Sequence, residues 1–269
     1  MKVAVIGGGT MGGALVKSIL RARLAAKGDI IVSDVSQERR ETARKRFGVA
    51  VSGDNAAAIK DADAVILAVK PQEMDEVLDQ LSGHLVSQLV ISIAAGVTLE
   101  TISRRLRYDA VVRAMPNTPA QVGRGMTVWT SSGEPAAGRH DMARRILASL
   151  GEEMYLKDER YLDMATAISG SGPAYVFLFI EALIDAGVHI GLPRDTAQKL
   201  VIETVAGSAE AMKKMARHPA ELRNMVTSPG GTTTEALYHL ESGGLRSLII
   251  SAVLAAHEKA RSLGAKKEA

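Results

Sequence analysis

The sequence predicts an α/β N-terminal domain over residues 1–158, followed by an all-helical C-terminal domain over residues 159–269. As far as Leu156, short β-branched runs alternate with amphipathic, helix-like stretches. Nearly continuous apolar strands that alternate with helices indicate a parallel sheet covered on both faces. After about Asp158 the strand-like runs stop and only helical periodicity continues. The boundary therefore lies near residues 157–162.

The predicted elements follow in chain order. The strands are Val3–Ile6, Ile30–Ser33, Ala64–Ala68, Leu89–Ser92, Ala110–Ala114, Met126–Thr130 and Glu153–Leu156. The helices between them include Met11–Leu24, Gln37–Phe47, Gln72–Leu81 and Ala137–Leu150. The helices of the second half are Leu162–Ala167, Ala174–Val188, Arg194–Met215, His218–Met225, Thr234–Leu240 and Gly244–Leu263.

Composition narrows the class of protein. The 269 residues are 46% hydrophobic, contain no cysteine and carry a net charge of +3 with acidic and basic residues interspersed. The absence of cysteine excludes disulfides and thiolate chemistry and fits a reducing cytoplasm, where we expect this chain, without a signal peptide. The sequence has no stripe of basic residues of the kind that binds nucleic acid. It also has no set of His, Asp and Glu residues with the spacing of a metal site. We expect the charged tail after Leu263 to be solvated.

One long apolar stretch, residues 174–192, raises the question of a membrane. Glu181, Asp185 and two glycines interrupt it, so we expect a buried helix and not a membrane span. This helix and residues 245–257 are apolar on more than one face, and such helices must be covered on all sides. Either the second half is a compact monomeric bundle, or a second copy of the chain covers it in an interlocked homodimer. We favour the homodimer.

A glycine motif follows the first strand. Gly7, Gly9 and Gly12 have G-x-G-x-x-G spacing, directly after a strand and at the opening of a helix. In that context the motif predicts a dinucleotide phosphate site. Gly7 permits the tight turn, Gly9 lets a pyrophosphate approach the backbone, and Gly12 lets the helix pack closely on the strand. The same loop contributes Gly8, Thr10 and Met11 to the predicted site. A glycine-rich turn without a ligand is the alternative.

The choice between NADH and NADPH depends on the end of the second strand. Asp34 stands where a carboxylate accepts from the adenosine ribose and repels a 2′-phosphate. Ser33, Ser36, Arg39 and Arg40 surround it, and a serine–arginine set could instead hold that phosphate. A third reading is that Asp34 or Ser36 only caps the next helix. We lean towards acceptance of NADH and leave NADPH open.

Three further strand ends should meet the cofactor at the carboxyl edge of the sheet. The first is Ala68-Val69-Lys70-Pro71, in which Pro71 suits the first position of a helix and Lys70 is a neighbour of the cofactor or a surface lysine. The second is Ala95-Gly96, with small residues where a nicotinamide ribose fits. The third is the Pro-rich loop around Asn117, whose amide is both a donor and an acceptor, although a plain turn is the alternative.

A second special loop, TSPGGTTT, precedes a helix in the second half. Pro229 stiffens a turn, and Gly230 and Gly231 can take positive φ so that successive N–H groups point one way. With Ser228, Thr232 and Thr233 these residues form an anion nest at a helix N-terminus, lined with hydroxyls. Such a nest suits a small carboxylate. An ordinary capped helix start is the alternative.

Eight motifs together resemble one known family. The segments IGGGTMGGAL, AVKP, SIAAGV, RAMPNTP, ISGSGPAY, GLPR, LRNMVTSPGGTT and LESGGLRSLI are similar, in order and spacing, to pyrroline-5-carboxylate reductase, the last enzyme of proline biosynthesis. The resemblance spans residues 1–264, and TSPGGTT and SGSGPAY are its specific parts. It implies a Rossmann domain that carries NADPH or NADH, then a helical dimerisation domain, in a 6-phosphogluconate dehydrogenase-like arrangement. It also implies an active site between the domains, walled partly by the partner subunit, and dimers that often assemble into a decamer.

The same resemblance implies roles for single residues. Ser228, Gly231 and Thr232 match the loop that holds the carboxylate of 1-pyrroline-5-carboxylate. Thr233, the predicted catalytic residue, matches the threonine whose hydroxyl faces the ring nitrogen. Glu159 matches a position near the nicotinamide, and Asn55 one near the adenosine ribose. At Met225 the sequence departs from relatives that carry a polar residue, so no role follows there.

The implied reaction moves a hydride from C4 of the nicotinamide to the C=N carbon of the cyclic imine, which becomes C5 of the product, L-proline. A β-hydroxyacid-type dehydrogenase is the nearest rival, but the long helix SGSGPAYVFLFIEAL lacks the lysine which that chemistry needs. Reduction of the six-membered homologue and a non-catalytic NAD-sensing protein remain as alternatives. No side chain is an obvious general acid; each of His189, His218, His239 and His257 is expected to be a surface or core imidazole.

Overall fold

The fold is described from a computed structural model in which residues 1–133 and 137–265 are placed. The expected solvated tail therefore falls largely outside the described residues. Contacts divide the chain into two compact units. The first unit comprises Met1–Ser171 and Ala255–Ala269, and the second comprises Gly172–Leu254. The functional boundary predicted between residues 158 and 159 stays a prediction.

The first unit is built on an eight-stranded sheet in the order β3-β2-β1-β4-β5-β6-β7-β8. The strands are β1 Val3–Ile6, β2 Ile30–Ser33, β3 Ala50–Ser52, β4 Ala64–Leu67, β5 Leu89–Ser92, β6 Val111–Met115, β7 Gly125–Ser131 and β8 Gly151–Tyr155. The helices are α1 Thr10–Arg21, α2 Gln37–Phe47, α3 Asn55–Ile59, α4 Met74–Leu81, α5 Leu99–Leu106, α6 Ala137–Ala148 and α7 Arg160–Ala165. The predicted N-terminal α/β fold with a helical second half is confirmed.

Two buried clusters cover the two faces of this sheet. Val5 packs with Leu15 and Ile19 of α1, whereas its neighbour Ile6 packs with Leu78 of α4 and Ile102 of α5. Successive strand residues point to opposite faces, so a strand covered on both sides needs an unbroken apolar run. This explains why β1 and β4 are buried at every position.

The expectation of a parallel sheet is wrong at one pairing. Strands β6 and β7 run antiparallel, with Ala114 opposite Trp129, while β7 and β8 are parallel again. The chain joins β6 to β7 through a short 3-10 turn, Thr118–Val122. A parallel connection needs a crossover of a dozen or more residues, usually with a helix, and this segment is too short to supply one.

The second unit is helical, as predicted. Its helices are α8 Gly172–His189, α9 Arg194–Met215, α10 Pro219–Met225, α11 Thr232–Ser242 and the first part of α12 Leu245–Ala265. A π-helical turn, Thr166–Gly170, precedes α8 and belongs to the first unit.

Helix α8 is not buried within a single chain. All of its residues are described and none is buried; Phe177 is 61% and Leu178 67% exposed. The expected buried helix therefore needs cover from outside the single chain. The continuous helical stretch Arg160–His189 has the length and hydropathy of a membrane span, and 6% of the tested window is buried. A helix that packs against a second copy passes the same test.

Candidate functional site

A cavity of about 680 Å³ opens at the carboxyl edge of the sheet. Strand β1 has β2 on one side and β4 on the other, so the strand order reverses beside it. In open α/β sheets, ligands bind at such a switch point. The predicted cofactor residues that line this dinucleotide cavity are Gly7, Gly9, Thr10, Met11, Ser33, Asp34, Asn55, Ala68, Val69, Lys70, Pro71 and Ala95.

The three motif glycines differ in what an added side chain would meet. Gly7 has φ +106°, and a Cβ there would lie 2.7 Å from the carbonyl oxygen of Ala68. A Cβ at Gly12 would clash with the carbonyl oxygen of Gly7. At Gly9, the N-cap of α1, an added Cβ would meet no described atom within 4 Å. The loop thus leaves open space at Gly9, where the first amides of α1 lack intrahelical acceptors. This cradle fits a pyrophosphate.

Asp34 connects the glycine loop to the start of α2. It is 7% exposed; one carboxylate oxygen accepts from the amide of Gly8 at 2.8 Å and the other from the amide of Ser36 at 2.8 Å. The guanidinium of Arg39 lies 3.5 Å from the first oxygen. Ser36 is the N-cap of α2, and its hydroxyl accepts from the amide of Arg39. Asp34 therefore holds the loop, and Ser36 performs the capping that was one of the three readings.

The two candidate arginines at this position differ in their hydrogen-bond partners and in their exposure. Arg40 donates to the carbonyl oxygens of Asp34 and Val35, at 2.7 and 3.0 Å. Arg39 has its side chain half exposed and lines the dinucleotide cavity. Arg39 is consequently the arginine of this pair that faces the cavity, while Arg40 braces the backbone.

Hydrogen bonds join Ser33 to Asn55 and onward to α4. The Ser33 hydroxyl donates to Oδ1 of Asn55 at 2.7 Å, and Nδ2 of Asn55 donates to Gln80 at 2.7 Å. Gln80 in turn donates to Glu76 at 3.2 Å. The sequence analysis missed Gln80, which lines the same cavity. A glutamine in an amphipathic helix carries no signal of such a role.

Five predicted cofactor residues do not line this cavity: Gly8, Gly12, Gly96, Asn117 and Glu159. Gly8 lies in the loop that shapes it, and Gly12 lies in the first turn of α1. Gly96 has φ +72° in the turn before α5. Asn117 and Glu159 are engaged in separate networks.

Asn117 fastens the β6–β7 loop to the π-helical turn. Its Nδ2 donates to the carbonyl oxygen of Ser169 at 3.0 Å, and its Oδ1 accepts from the amide of Met126 at 2.9 Å. The amide of Ser171 donates to Thr166 at 2.8 Å, which is the wider π-type spacing. Single π turns inside helices are frequent at functional sites.

Glu159 ends a buried ion network. One of its oxygens accepts from the amide of Leu99, the first residue of α5, and from Arg113, both at 2.8 Å. Arg113, on β6, is buried and also donates to Asp163 at 2.9 Å. The sequence analysis missed Arg113, although a charged residue inside the apolar strand VVRAM was a usable signal.

The TSPGGTT loop of the second unit, predicted to be an anion nest, is a turn in which the amide of Gly231 donates to the carbonyl oxygen of Ser228 at 3.0 Å. Gly230 has φ +68°, whereas Gly231 has φ −82°, so one glycine and not both takes positive φ. Gly231 lies close to Ser228, so a Cβ there would contact the hydroxyl of Ser228 and lie 3.1 Å from its carbonyl oxygen. The Thr234 hydroxyl donates to the carbonyl oxygen of Ser228 at 2.6 Å and closes the loop. Helix α11 begins at Thr232.

This loop can hold a carboxylate. First-turn amides of a helix lack intrahelical acceptors, so those of Thr232 and Thr233 are available to an anion. The Thr233 side chain is half-buried and that of Thr232 exposed. Within residues 1–133 and 137–265, no group of three His, Asp or Glu side chains is arranged to hold a metal ion.

Two family models match separate parts of the chain. Residues 159–263 match the model described as pyrroline-5-carboxylate reductase dimerisation, and residues 2–96 match that described as NADP oxidoreductase, coenzyme F420-dependent.

Relatives match over nearly the whole length. The chain is 43% identical to the pyrroline-5-carboxylate reductase of Synechocystis sp. over 266 residues, 99% of both chains. Among solved structures, it is similar to Plasmodium falciparum pyrroline carboxylate reductase with NADP bound, with a TM-score of 0.90, 34% identity and 98% of each chain covered. It is also similar to the Coxiella burnetii pyrroline-5-carboxylate reductase, with a TM-score of 0.88, 36% identity and coverage of 97% of this chain and 98% of that one.

Proposed function

The chain belongs to the pyrroline-5-carboxylate reductase family, and we propose how its residues share the NAD(P)H-dependent reduction of 1-pyrroline-5-carboxylate to L-proline, the last step of proline biosynthesis. The chain is an oxidoreductase that acts on a C=N bond. The structural observation that carries the proposal is a pair of helix starts able to accept anions. One is the open glycine loop before α1, and the other is the nest before α11.

The first helix start is assigned to the cofactor. The amides at the start of α1, beside Gly9, fit the pyrophosphate. Asp34 follows β2 and Asn55 begins α3 just after β3; both line the cavity, and we assign them to the adenosine end of the cofactor. Ala68, Val69 and Ala95 line the path from the other strand ends. When bound, the reduced nicotinamide would supply the hydride that the C=N carbon of the imine accepts.

The second helix start is assigned to the substrate. The amides of Thr232 and Thr233 take the carboxylate, and the tight Ser228–Gly231 approach shapes the loop around it. The Thr233 hydroxyl then directs the ring nitrogen. A carboxylate fixed at one end and a nitrogen fixed at the other leave the imine carbon one orientation. Orientation of reactants near ~3–3.5 Å contributes several kcal/mol to catalysis.

The proton on the ring nitrogen is assigned to the substrate itself, as its source. A C=N carbon accepts hydride well only when its nitrogen is protonated, and reduction then places the hydride on that carbon and leaves the proton on nitrogen. Among the histidines, Nδ1 of His218 accepts from the amide of Ala220 and caps α10, while His239 packs edge-to-face with Tyr238. Both have structural contacts, and we propose that the substrate arrives as an iminium and takes no proton from these side chains.

Cofactor preference is assigned to the Asp34–Arg39 pair. The Asp34 carboxylate suits the ribose hydroxyls of NADH. Arg39, half exposed beside it, is the group on which a 2′-phosphate would depend. A Plasmodium falciparum relative has NADP bound. We propose that both cofactors are accepted, with NADH favoured by Asp34.

Assembly and location complete the proposal. The dimerisation match and the uncovered α8 indicate a homodimer. We propose further that residues 1–158 bind the cofactor and residues 159–269 the substrate and partner, that dimers assemble into a decamer, and that the chain works in the cytoplasm without a membrane or nucleic-acid partner. The lack of cysteine supports a reducing compartment.

One assay tests the activity. Oxidation of NADH and of NADPH is followed with the five-membered and with the six-membered imino acid. For each, incubation of the homologous 2-hydroxy acid with NAD⁺ is the control for alcohol oxidation. The proposal expects turnover with the five-membered imine and none with the hydroxy acid. Turnover confined to the six-membered imine, or none with any imine, contradicts it.

A further inference from the structure

A second cavity lies on the other side of the glycine loop, between α1 and α2. Its volume is about 470 Å³, within the range of small-ligand sites. Three cationic side chains line it: Lys17 of α1, and Arg39 and Arg46 of α2. None of the described residues that line it is acidic. We call this cavity the basic cleft.

The cations share one wall because of helical spacing. Arg39, Thr42 and Arg46 are three and four residues apart on α2, so they lie along one face of that helix. Lys17 stands opposite, on α1. The cleft extends from Gly9 and Thr10 at the start of α1 towards these cations.

The three cations make only long or weak contacts with other groups. Arg39 lies 3.5 Å from Asp34, longer than a close ion pair. Lys17 donates to the carbonyl oxygen of Gln121 at 3.3 Å, and the guanidinium of Arg46 lies 5.3 Å from the centre of the Phe47 ring. The acidic neighbours on α2, Glu38 and Glu41, are outside the lining. Like charges gathered in a cleft raise the local positive potential and favour an anion.

The basic cleft and the dinucleotide cavity have three lining residues in common. These are Gly9, Thr10 and Arg39. An anion in the cleft would therefore be next to the adenosine end of the cofactor site, and would compete with Asp34 for Arg39.

We propose that the basic cleft binds a phosphate-type dianion, held by Arg39, Arg46 and Lys17. The proposal rests on the assignment of the neighbouring cavity to the dinucleotide. The dianion has two possible sources: the 2′-phosphate of NADPH, directed past Arg39 into the cleft, or a free phosphate or phosphorylated metabolite. Both present the same group to the same cations.

The test uses two cleft variants and one matched control. Arg46→Gln and Lys17→Gln each remove a cleft cation that does not line the dinucleotide cavity. Lys45→Gln removes the same charge from the same last turn of α2, at an exposed position outside the cleft. Inorganic phosphate is titrated calorimetrically into cofactor-free protein at constant ionic strength, and KM is measured separately for NADH and NADPH.

The expected result is phosphate binding by the unmodified chain and by Lys45→Gln, weakened about tenfold in Arg46→Gln and in Lys17→Gln, as for loss of a charged hydrogen bond. If the source is NADPH, KM for NADPH rises in the cleft variants while KM for NADH does not, and phosphate competes with NADPH alone. If the source is a free anion, both KM values stay unchanged.

No phosphate binding, or equal weakening in Lys45→Gln, overturns the proposal. Because phosphate binding is read without turnover, failure of the reductase activity is a separate result.

Discussion

The side-chain amide of Asn117 donates to the carbonyl oxygen of Ser169 across 3.0 Å. The donor is in the loop after β6 and the acceptor in the π-helical turn before α8. Because Met126 donates to the other end of the same amide, both ends of Asn117 are occupied by the protein itself. Asn117 therefore has the geometry of a positioning residue, besides the cofactor contact expected from its sequence context.

Substitution of Asn117 by aspartate separates these two roles. The change replaces the Nδ2 donor by an oxygen that faces the Ser169 carbonyl. As a positioning residue, Asn117→Asp should lower kcat about tenfold and destabilise the chain by about 1–3 kcal/mol. The dissociation constant of NADH, measured by fluorescence without substrate, should change little. A weakened NADH affinity with unchanged stability in urea would instead favour a direct cofactor contact.

This pair also shows what sequence can and cannot predict. The two prolines and the amide chemistry around Asn117 were enough to select the loop. Its partner lies 52 residues away, and nothing local in the sequence links them. Spacing predicts chemistry within one loop, whereas a contact across the fold requires the fold.

Thr233→Ala tests the assigned catalytic residue. Loss of its directed hydrogen bond should lower kcat/KM about tenfold to a hundredfold, equivalent to ~1.5–3 kcal/mol. Thr233→Ser keeps the hydroxyl and should restore most of the activity. Thr232→Ala, an identical change at the exposed neighbouring position, is the control in steady-state kinetics. Equal losses in both alanine variants would mean that the helix start, and not the Thr233 hydroxyl, is what matters.

Asp34→Ser tests cofactor preference. Serine removes the carboxylate that repels a 2′-phosphate and frees Arg39 from its partner at 3.5 Å. The ratio of kcat/KM for NADPH to that for NADH should therefore rise, by about tenfold if one charged contact is gained. Some stability should be lost as well, because Gly8 and Ser36 lose their shared acceptor. An unchanged cofactor ratio would leave Asp34 with only its role in the loop.

Arg113→Gln tests the buried ion network. Removal of the guanidinium leaves Glu159 and Asp163, 28% and 24% exposed, as adjacent carboxylates without their cation. Loss of one partner from a buried network should lower the free energy of unfolding by about 2–3 kcal/mol, measured in urea. Arg160→Gln breaks the exposed pair with Asp158 and should have little effect. Similar midpoints for both variants would contradict a structural role for Arg113.

The strongest sequence predictions concerned long, regular elements. β1, β2 and β5 have the predicted residues, because an unbroken apolar run with sharp turn signals has one reading. Two short elements were not predicted: β3, only three residues long, and the helix α3, whose NAAAI sequence has little periodicity. Also not predicted was α5, whose two arginines near the end obscure the buried face formed by Leu99, Ile102 and Leu106.

The candidate site likewise has parts that the sequence could predict and parts that it could not. Motif glycines and the TSPGGTT loop carry their geometry in local sequence, so the turn at Gly7, the close packing at Gly12 and the positive φ at Gly230 were predictable. Gln80 and Arg113 act through partners on other elements, and they were not. Strand direction between β6 and β7 depends on a connection too short for a crossover, which the residue pattern of the strands does not reveal.

The uncovered side chains of α8 have a practical consequence at the bench. Phe177 and Leu178 face water in a lone chain, so mass action stabilises whatever assembly hides them. Enzyme diluted from a concentrated stock to trace amounts should lose specific activity over time, and melting curves should move upward as more protein is loaded. A rate constant reported at a single enzyme concentration would therefore describe a mixture of species.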